Sequence, residues 1–520
     1  MSRTCWIASI ATFCFHLAVA ISHGGPVAVP DVSAYLSIAQ WTGGGQLTQN
    51  LGFFPGYGLL LSPATVFGIS GSSIHTSALI LNGVAAAVSV VLAAELCRRL
   101  GGGKALQGCA CLLAVVHPSL SLGSRIAWPE TLLVTGLLSI CVCLSSKTSK
   151  NRYAISGGIA GLCLLLHPRA VVLVVALIIL ACVQKSLLKT LCGMLPPTLI
   201  GVVALTVTDS WPQSRVAAAQ SAEIGSGLIA TGLGQIVAAS ASTGGLVAIG
   251  LVIGIMALVN VCRRHDASVV SAFLALSVLG MVALGGLALA GSDRIDTFFY
   301  GRYIDIWSVP LSIVAITSLQ SKRLSRANTN LGIGFSLASL ILIIANSGLA
   351  AVEPRRIMTL SLAGLWELAS NQISIVVVIG TFITVIAFWA SNREPKLRLF
   401  LPIFLFVTVA IPSSILSHTH LHSVGEIAEG QTKTAILLPS EVRCLSHNQK
   451  NVPSYALWLY RLQLPEIRHE RTSIEAGQEP CSRYLIADLE HVSDCKDIEL
   501  LGSEPKGTWG LWYYPTRLCF

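Results

Sequence analysis

Long apolar runs recur from residue 4 to residue 417, and the links between them alternate between strongly basic and mixed in charge. At about 1.5 Å of rise per residue, runs of this kind cross a hydrocarbon core roughly 30 Å thick. The expected spans are 4–22, 73–96, 105–123, 128–145, 153–167, 169–184, 190–207, 244–262, 267–290, 304–319, 329–350, 373–390 and 399–417, thirteen in all. The pair around His167-Pro168-Arg169 is read as two helices parted by proline, because together they are too long for one crossing. With 53% hydrophobic and 11% charged positions, the chain has too little polar surface to cover a soluble globule of 520 residues. The fold class expected is therefore a polytopic α-helical membrane protein.

The links give the orientation. With the N-terminus inside, Arg3, Arg98, Arg99, Lys104, Lys147, Lys150, Arg152, Lys185, Lys189, Arg263, Arg264, Lys322, Arg323, Arg326, Arg393, Lys396 and Arg398 face the cytoplasm against only Glu95, Asp266 and Glu394. The opposite links carry Arg125, Arg169, Arg215, Arg294, Arg302, Arg355 and Arg356 against nine acids, so the positive-inside rule holds at every turn. The net charge of +9 is thus spread as topology signals and forms no patch for nucleic acid. Ala18-Val19-Ala20 could be a signal-peptidase site, which leaves a retained first helix or a cleaved leader. Asp31 lies outside in both cases.

After Ser417 the chain turns polar, with 10 of the 34 basic and 13 of the 25 acidic residues. The expected division is a membrane domain over 1–417 and an extracytoplasmic α/β domain over 418–520. Strand-like runs lie at Ala435–Pro439, Tyr484–Ala487 and Gly510–Tyr514, and a helix at Tyr455–Leu462. Cys444, Cys481, Cys495 and Cys519 stand apart from the cysteines of the apolar runs and are expected to form two disulfides, with three pairings open. Two further outer loops are long: 22–72, with the short apolar stretch Phe53–Leu61 suited to a membrane surface, and 209–242, rich in small residues and holding Trp211, Arg215 and Glu223. Long ordered loops often carry function, which directs attention to the outer face.

Ionisable groups at a membrane boundary are costly, and here they gather on that face. Asp31, the first carboxylate of the chain, heads Pro30-Asp31-Val-Ser-Ala-Tyr35-Leu-Ser-Ile-Ala39. Arg125-Ile-Ala-Trp128-Pro-Glu130 supplies a cation and a second carboxylate, and His167-Pro168-Arg169 another cation. Asp293-Arg294-Ile-Asp296 and Tyr300-Gly-Arg302-Tyr303-Ile-Asp305 add five charged groups and two phenols. Structural roles exist for each: Asp31 as a helix cap, Glu130 against a helix dipole after Pro129, Arg169 reaching lipid phosphates. Together, two carboxylates and three arginines are the groups needed to hold a lipid phosphate and deprotonate a hydroxyl.

The order and sidedness of Asp31-x-x-x-Tyr35-x-x-x-Ala39, Phe54-Pro-Gly-Tyr57, Arg125-x-x-x-x-Glu130, His167-Pro168-Arg169 and Gly301-Arg302-Tyr303 resemble the GT-C class of membrane glycosyltransferases. The similarity is greatest to the branch with protein O-mannosyltransferases and lipid A aminoarabinose transferases. It covers the first 310 residues by motif and the rest by architecture. The chain departs from the aminoarabinose transferases where they have a basic residue beside paired prolines, since Phe54 and the single Pro55 stand there.

The resemblance implies a GT-C-like fold in the plasma (inner) membrane, a polyprenyl-phosphate sugar donor, and an outward-facing site with Asp31 as base and Glu130 as second acidic residue. It also implies Arg302 and Tyr303 near the donor phosphate, and the chemistry of charge growing on that phosphate adds Arg125 and Arg169 as further candidate ligands. Tyr35, Tyr57, Asp293 and Arg294 are expected in acceptor-binding or loop roles. The acceptor is left open among glycan, lipid and protein. A divalent cation, Mg²⁺ or Mn²⁺, or no cofactor at all, both suit the two carboxylates. A transporter or flippase of lipid-linked saccharides would share the spans and arginines, but it needs a polar path to both faces, and the inner links are short and basic. An O-antigen-type ligase or polymerase would centre on a large late outer loop.

Overall fold

The computed structural model describes residues 3–22, 24–27, 29–47, 54–146, 149–209, 211, 225–263, 268–289, 295–321, 324–348, 360–450, 452–490 and 498–514. Its helices are α1 (Arg3–Ile21), α2 (Val29–Thr42), α3 (Gly56–Val66), α4 (Ser72–Arg99), α5 (Lys104–Val116), α6 (Pro118–Ser121), α7 (Glu130–Ser145), α8 (Arg152–Leu166), α9 (Val171–Val183) and α10 (Leu187–Val207). They continue as α11 (Ser226–Ser242), α12 (Leu246–Cys262), α13 (Val269–Leu289), α14 (Asp305–Ser321), α15 (Arg326–Ser347), α16 (Ala363–Leu368), α17 (Ile373–Ser391), α18 (Pro395–Gly430) and α19 (Ser454–Gln463). Twelve of the thirteen apolar segments each coincide with one helix, while 105–123 is broken at His117 into α5 and α6. Among the described residues, seven helices are long and apolar enough by length and composition to cross a membrane, and five shorter apolar ones accompany them.

The second long loop needs correction. Within 209–242, residues 226–242 form α11, a helix buried along nearly its whole length from Ala230. Its glycine, alanine, serine and threonine content lowers hydropathy but lets backbones come close, which is how small-residue helices pack in lipid. A Cβ on Gly234 would stand 1.8 Å from the carbonyl oxygen of Phe298. The turn into α12 is equally tight: Gly244 and Gly245 have φ of +60° and +84°, and a Cβ on Gly244 would lie 2.4 Å from the backbone of Pro402 and Phe406. α14 runs through the centre of the helical body, buried from Ile306 to Thr317, and Trp307 donates Nε1–H to Ser277 Oγ of α13 at 2.8 Å.

α18 continues without a break through residue 417, so the division expected there falls inside a helix. Beyond it, a five-stranded sheet contains β1 (Cys444–Asn448), β2 (Arg468–Thr472), β3 (Tyr484–Asp488), β4 (Glu499–Ser503) and β5 (Trp509–Tyr513) in the order β2-β1-β3-β5-β4. β1 is parallel to β2 and β3, and the β3–β5 and β5–β4 pairs are antiparallel. The run at 435–439 is not a strand; residues 433–437 form a 3-10 turn. The buried Glu504 holds that turn by accepting from the amides of Lys433 and Thr434 at 2.7 and 2.9 Å, a demand for local amide donors that alternation alone does not reveal. Cys444 and Cys481 form a disulfide, while Cys495 and Cys519 lie outside the described residues.

The sheet region and the membrane body meet at α2. Ser33 Oγ donates to the carbonyl of Trp458 at 3.3 Å and Gln40 Nε2 to that of Leu462 at 3.0 Å, fastening α2 to α19.

Candidate active site

Four separate connections deliver charged side chains to one place. Pro129 precedes α7, so Glu130 occupies its first turn, where free amides and the helix dipole favour a carboxylate. α8 ends at Leu166, and His167 Nδ1 accepts from the amide of Arg169 at 3.0 Å, capping the short 3-10 turn that carries this arginine. Arg302 sits on another 3-10 turn, Gly301–Tyr303, and Asp31 in the first turn of α2.

Arg302 is the hub. Its Nη2 lies 2.7 Å from Glu130 Oε1 and 3.6 Å from Asp31 Oδ2, and its guanidinium carbon lies 3.6 Å above the ring of Trp128. Arg169 approaches from the other side, with Nη2 3.5 Å from the same Glu130 oxygen and its guanidinium 4.4 Å above the Tyr303 ring. Stacking on aromatic faces fixes both planar forks, and Arg169 Nη1 is buried without a hydrogen bond among the described residues. Burial opposes charge on Arg302, but Glu130, Tyr300 and Asp31 overcome it and hold the guanidinium protonated above its ordinary range.

The carboxylates are not equivalent. Glu130 is 11% exposed and held by two arginines, whereas Asp31 is 31% exposed and, among the described residues, is paired only with Arg302, beyond hydrogen-bond distance. Glu130 is thus engaged as an anion in structure, and Asp31 remains open to an incoming group.

Arg125, expected beside Glu130, points elsewhere. Its Nη1 lies 3.3 Å from His422 Nδ1 on α18, because the turn over Gly123–Trp128 puts Arg125 and Glu130 on opposite sides. Tyr35 and Tyr57 are buried against each other, with ring centroids 5.7 Å apart. Tyr57 donates to Asn82 Oδ1 at 3.2 Å, and Asn82 Nδ2 donates to the carbonyls of Gly123 and Ile126 at 3.2 and 3.0 Å. These residues hold the turn that leads to Trp128 and Glu130. Asp293 and Arg294 lie outside the described residues.

Trp128, Asn82, Asp305 and Ser361 were not singled out as site residues in the sequence. A cavity of about 60 Å³ lies behind Arg302, lined by Glu130, Trp128, Asp305 and Ser361 among others. Trp128 and Asp305 stood within the quoted motifs, so adjacency to Glu130 and Arg302 was their available signal. Ser361 carried none.

The arrangement can bind an anion through the two guanidinium groups and receive a proton at Asp31. As a site for a divalent ion it fits poorly, because the cation between Asp31 and Glu130 is already the Arg302 guanidinium. The one group of three ligand-type residues among the described residues is Cys444, Glu470 and Cys481, whose sulfurs are bonded to each other.

Residues 63–211 match the family model of dolichyl-phosphate-mannose-protein mannosyltransferases. No curated protein sequence matches the chain. The structure resembles ArnT from Cupriavidus metallidurans in its apo state, at 9% identity and a TM-score of 0.54 over 97% of each chain. It also resembles the same protein bound to undecaprenyl phosphate, at 11% identity and a TM-score of 0.56 over 99% of each chain. At this identity the likeness to ArnT establishes the fold alone. Together with the match over residues 63–211, it supports a multi-pass membrane glycosyltransferase similar to the protein mannosyltransferases and to ArnT.

Proposed function

We propose that this protein transfers a sugar from a polyprenyl-phosphate carrier to an acceptor on the outer side of the membrane, with inversion at the anomeric carbon. The observation that carries the reading is the convergence of Asp31, Glu130 and Arg169 around Arg302. The neighbour bound to undecaprenyl phosphate supports the carrier class. The basic inner links support thirteen spans with the N-terminus inside and the sheet region outside, and the Cys444–Cys481 disulfide agrees with an oxidising compartment.

A sugar phosphate needs no strong general acid for its departure, because the phosphate leaves as a stable anion whose last pKa is about 6. One base suffices. Asp31 takes the proton of the acceptor hydroxyl while that oxygen forms its bond to the anomeric carbon from the face opposite the phosphate. The carbon–oxygen bond to phosphate breaks, and the electron pair leaves with the phosphate. Arg302 and Arg169 stabilise the charge that grows there, and Glu130 keeps both forks in place. Asp31 is preferred over Glu130 as base because it is the more open of the two and, among the described residues, makes no direct hydrogen bond to arginine.

The test is Asp31→Asn in the purified full chain, assayed with synthetic polyprenyl-phosphate sugars and membranes from a deletion strain as acceptor. Transfer is expected to fall by at least about 100-fold, the scale of general-base catalysis, with donor binding retained. Unchanged transfer removes Asp31 from the mechanism.

A further inference from the structure

Arg125 stands apart from the cluster around Arg302, and its surroundings define a second site. Beside it runs an apolar groove of about 780 Å³ between α1, α5 and α18. α1 supplies Thr4, Ala8, Ala11, Phe15 and Val19 to the wall, a spacing of three or four residues that lays the groove along the helix. At one end, Phe15 packs edge-on against His418 with ring centroids 5.6 Å apart, and Arg125 lies beside His418 and His422.

This end is polar, and among the described residues no carboxylate lines the groove or pairs with Arg125; Glu426, outside the lining, lies 3.4 Å from His422 Nε2. Arg125 Nε and His418 Nε2 are buried and make no hydrogen bond among the described residues. A half-buried guanidinium without a carboxylate, at the head of an apolar trough, is complementary to an anion that carries a hydrocarbon chain. The wall between the two sites is thin: on the 118–128 segment, Ser121 and Arg125 face the groove, while Leu122, Gly123, Ile126 and Trp128 face the cavity behind Arg302.

We propose that this groove binds an anionic acyl-chain lipid, with its phosphate on Arg125 and one chain along α1. Length selects this occupant. From Thr4 to Val19 the groove extends about 22 Å by helical rise, somewhat more than one leaflet of a ~30 Å core. An acyl chain fits that length, and a polyprenyl carrier overruns it. The site is independent of the transfer chemistry proposed above, so the binding test does not depend on activity.

The full chain, purified in detergent, is titrated with dioleoyl-phosphatidylglycerol and read by native mass spectrometry, with dioleoyl-phosphatidylcholine, undecaprenyl phosphate and inorganic phosphate as comparison probes. Wild type retains phosphatidylglycerol over phosphatidylcholine. Arg125→Gln weakens retention by about 10-fold or more, the scale of a hydrogen bond to a charged group. Ala11→Phe, which fills the trough and leaves Arg125 intact, weakens it as well, whereas Arg302→Gln does not. The proposal is overturned if Arg125→Gln and Ala11→Phe both bind like wild type, or if Arg302→Gln loses the lipid equally. It is also overturned if undecaprenyl phosphate or inorganic phosphate displaces phosphatidylglycerol at equal concentration.

Discussion

Glu130 and Arg302 meet through a single carboxylate oxygen: Oε1 accepts from Nη2 at 2.7 Å and from Nε at 3.2 Å. The other oxygen, Oε2, is buried without a hydrogen bond among the described residues. Both Arg302 and Arg169 therefore converge on one atom, and Glu130 also lines the cavity behind the pair. A carboxylate used in this way sets the position of two cations.

The first prediction concerns that pair. Breaking a buried ion pair from one side strands the partner charge and typically costs about 3–5 kcal/mol. Glu130→Gln is expected to lower the thermal midpoint of the detergent-purified protein by this order, and Arg302→Gln likewise. The double variant should be less damaging than the two single effects added together, with a coupling of about 1–3 kcal/mol. Strict additivity in thermal unfolding would show that the two side chains do not act as a unit.

A second prediction falls on Asn82, which touches no reacting group. Its amide bridges α4 to the carbonyls of Gly123 and Ile126 and accepts from Tyr57. Asn82→Ala strands the Gly123 carbonyl, at about 1–3 kcal/mol, while the Ile126 carbonyl keeps the Trp128 amide and Tyr57 keeps the Ala78 carbonyl. The turn that leads to Glu130 loosens, so transfer should fall together with stability. Tyr57→Phe removes one of these bonds and should cost about 1 kcal/mol in thermal unfolding with a smaller loss of transfer. Equal effects of the two variants would argue against Asn82 as the brace.

The membrane body was legible because the run of apolar residues and the placement of basic ones report directly on a lipid environment. Helices lie at each of the expected runs, although the one at 105–123 is broken at His117 into α5 and α6. α11 was missed because Gly, Ala, Ser and Thr give a weak hydropathy signal while packing tightly, as Gly234 against Phe298 shows. Asp31, Glu130, Arg169 and Arg302 could be nominated from sidedness, but which cation serves which acid could not. Arg125 lies five residues from Glu130 in sequence and faces away from it, whereas Arg302 lies 172 residues away and bonds to it. In the sheet region, β1 and β2 carry Cys444-Leu-Ser-His-Asn448 and Arg468-His-Glu-Arg-Thr472, polar strands whose histidines become buried only after the parallel pairing forms.

The disulfide gives a third prediction. Cys444 and Cys481 are 37 residues apart, and closing a loop of that length stabilises by about 4 kcal/mol in the chain-entropy account. Replacing both by serine, or reducing the native protein with dithiothreitol, should lower the unfolding midpoint of the sheet region with little change in the helical signal of the membrane body. β1 is joined to the segment before β3 by this bond, so hydrogen exchange should rise first at 444–448 and 484–488. No change in exchange at either strand on reduction would mean that the bond adds nothing to the folded sheet.

The last prediction is a pH dependence arising from the same sheet. His447 Nε2 and His469 Nδ1 lie 3.1 Å apart on β1 and β2, both buried. Burial, with the charge of Arg461 adding to it, lowers His469 from 6.5 to about 4, and burial together with His469 and nearby arginines lowers His447 well below its usual range. In the unfolded chain both rings bind a proton near pH 6.5, while the folded sheet keeps them neutral. The unfolded state therefore holds more protons below pH 6.5, and stability falls as pH drops from there toward 4; above 6.5 neither state is protonated and the effect vanishes. For His469 alone the loss is on the order of 3 kcal/mol across that window. The consequence reaches the candidate base, because Arg461 on α19 donates to the carbonyl of His469 at 3.0 Å and α19 is fastened to the helix that carries Asp31. Thermal midpoints measured from pH 8 to pH 4 should decline below 6.5 in the wild type, and His469→Asn, which cannot titrate, should flatten part of that decline. Parallel curves for the two proteins would place the acid sensitivity outside this histidine pair.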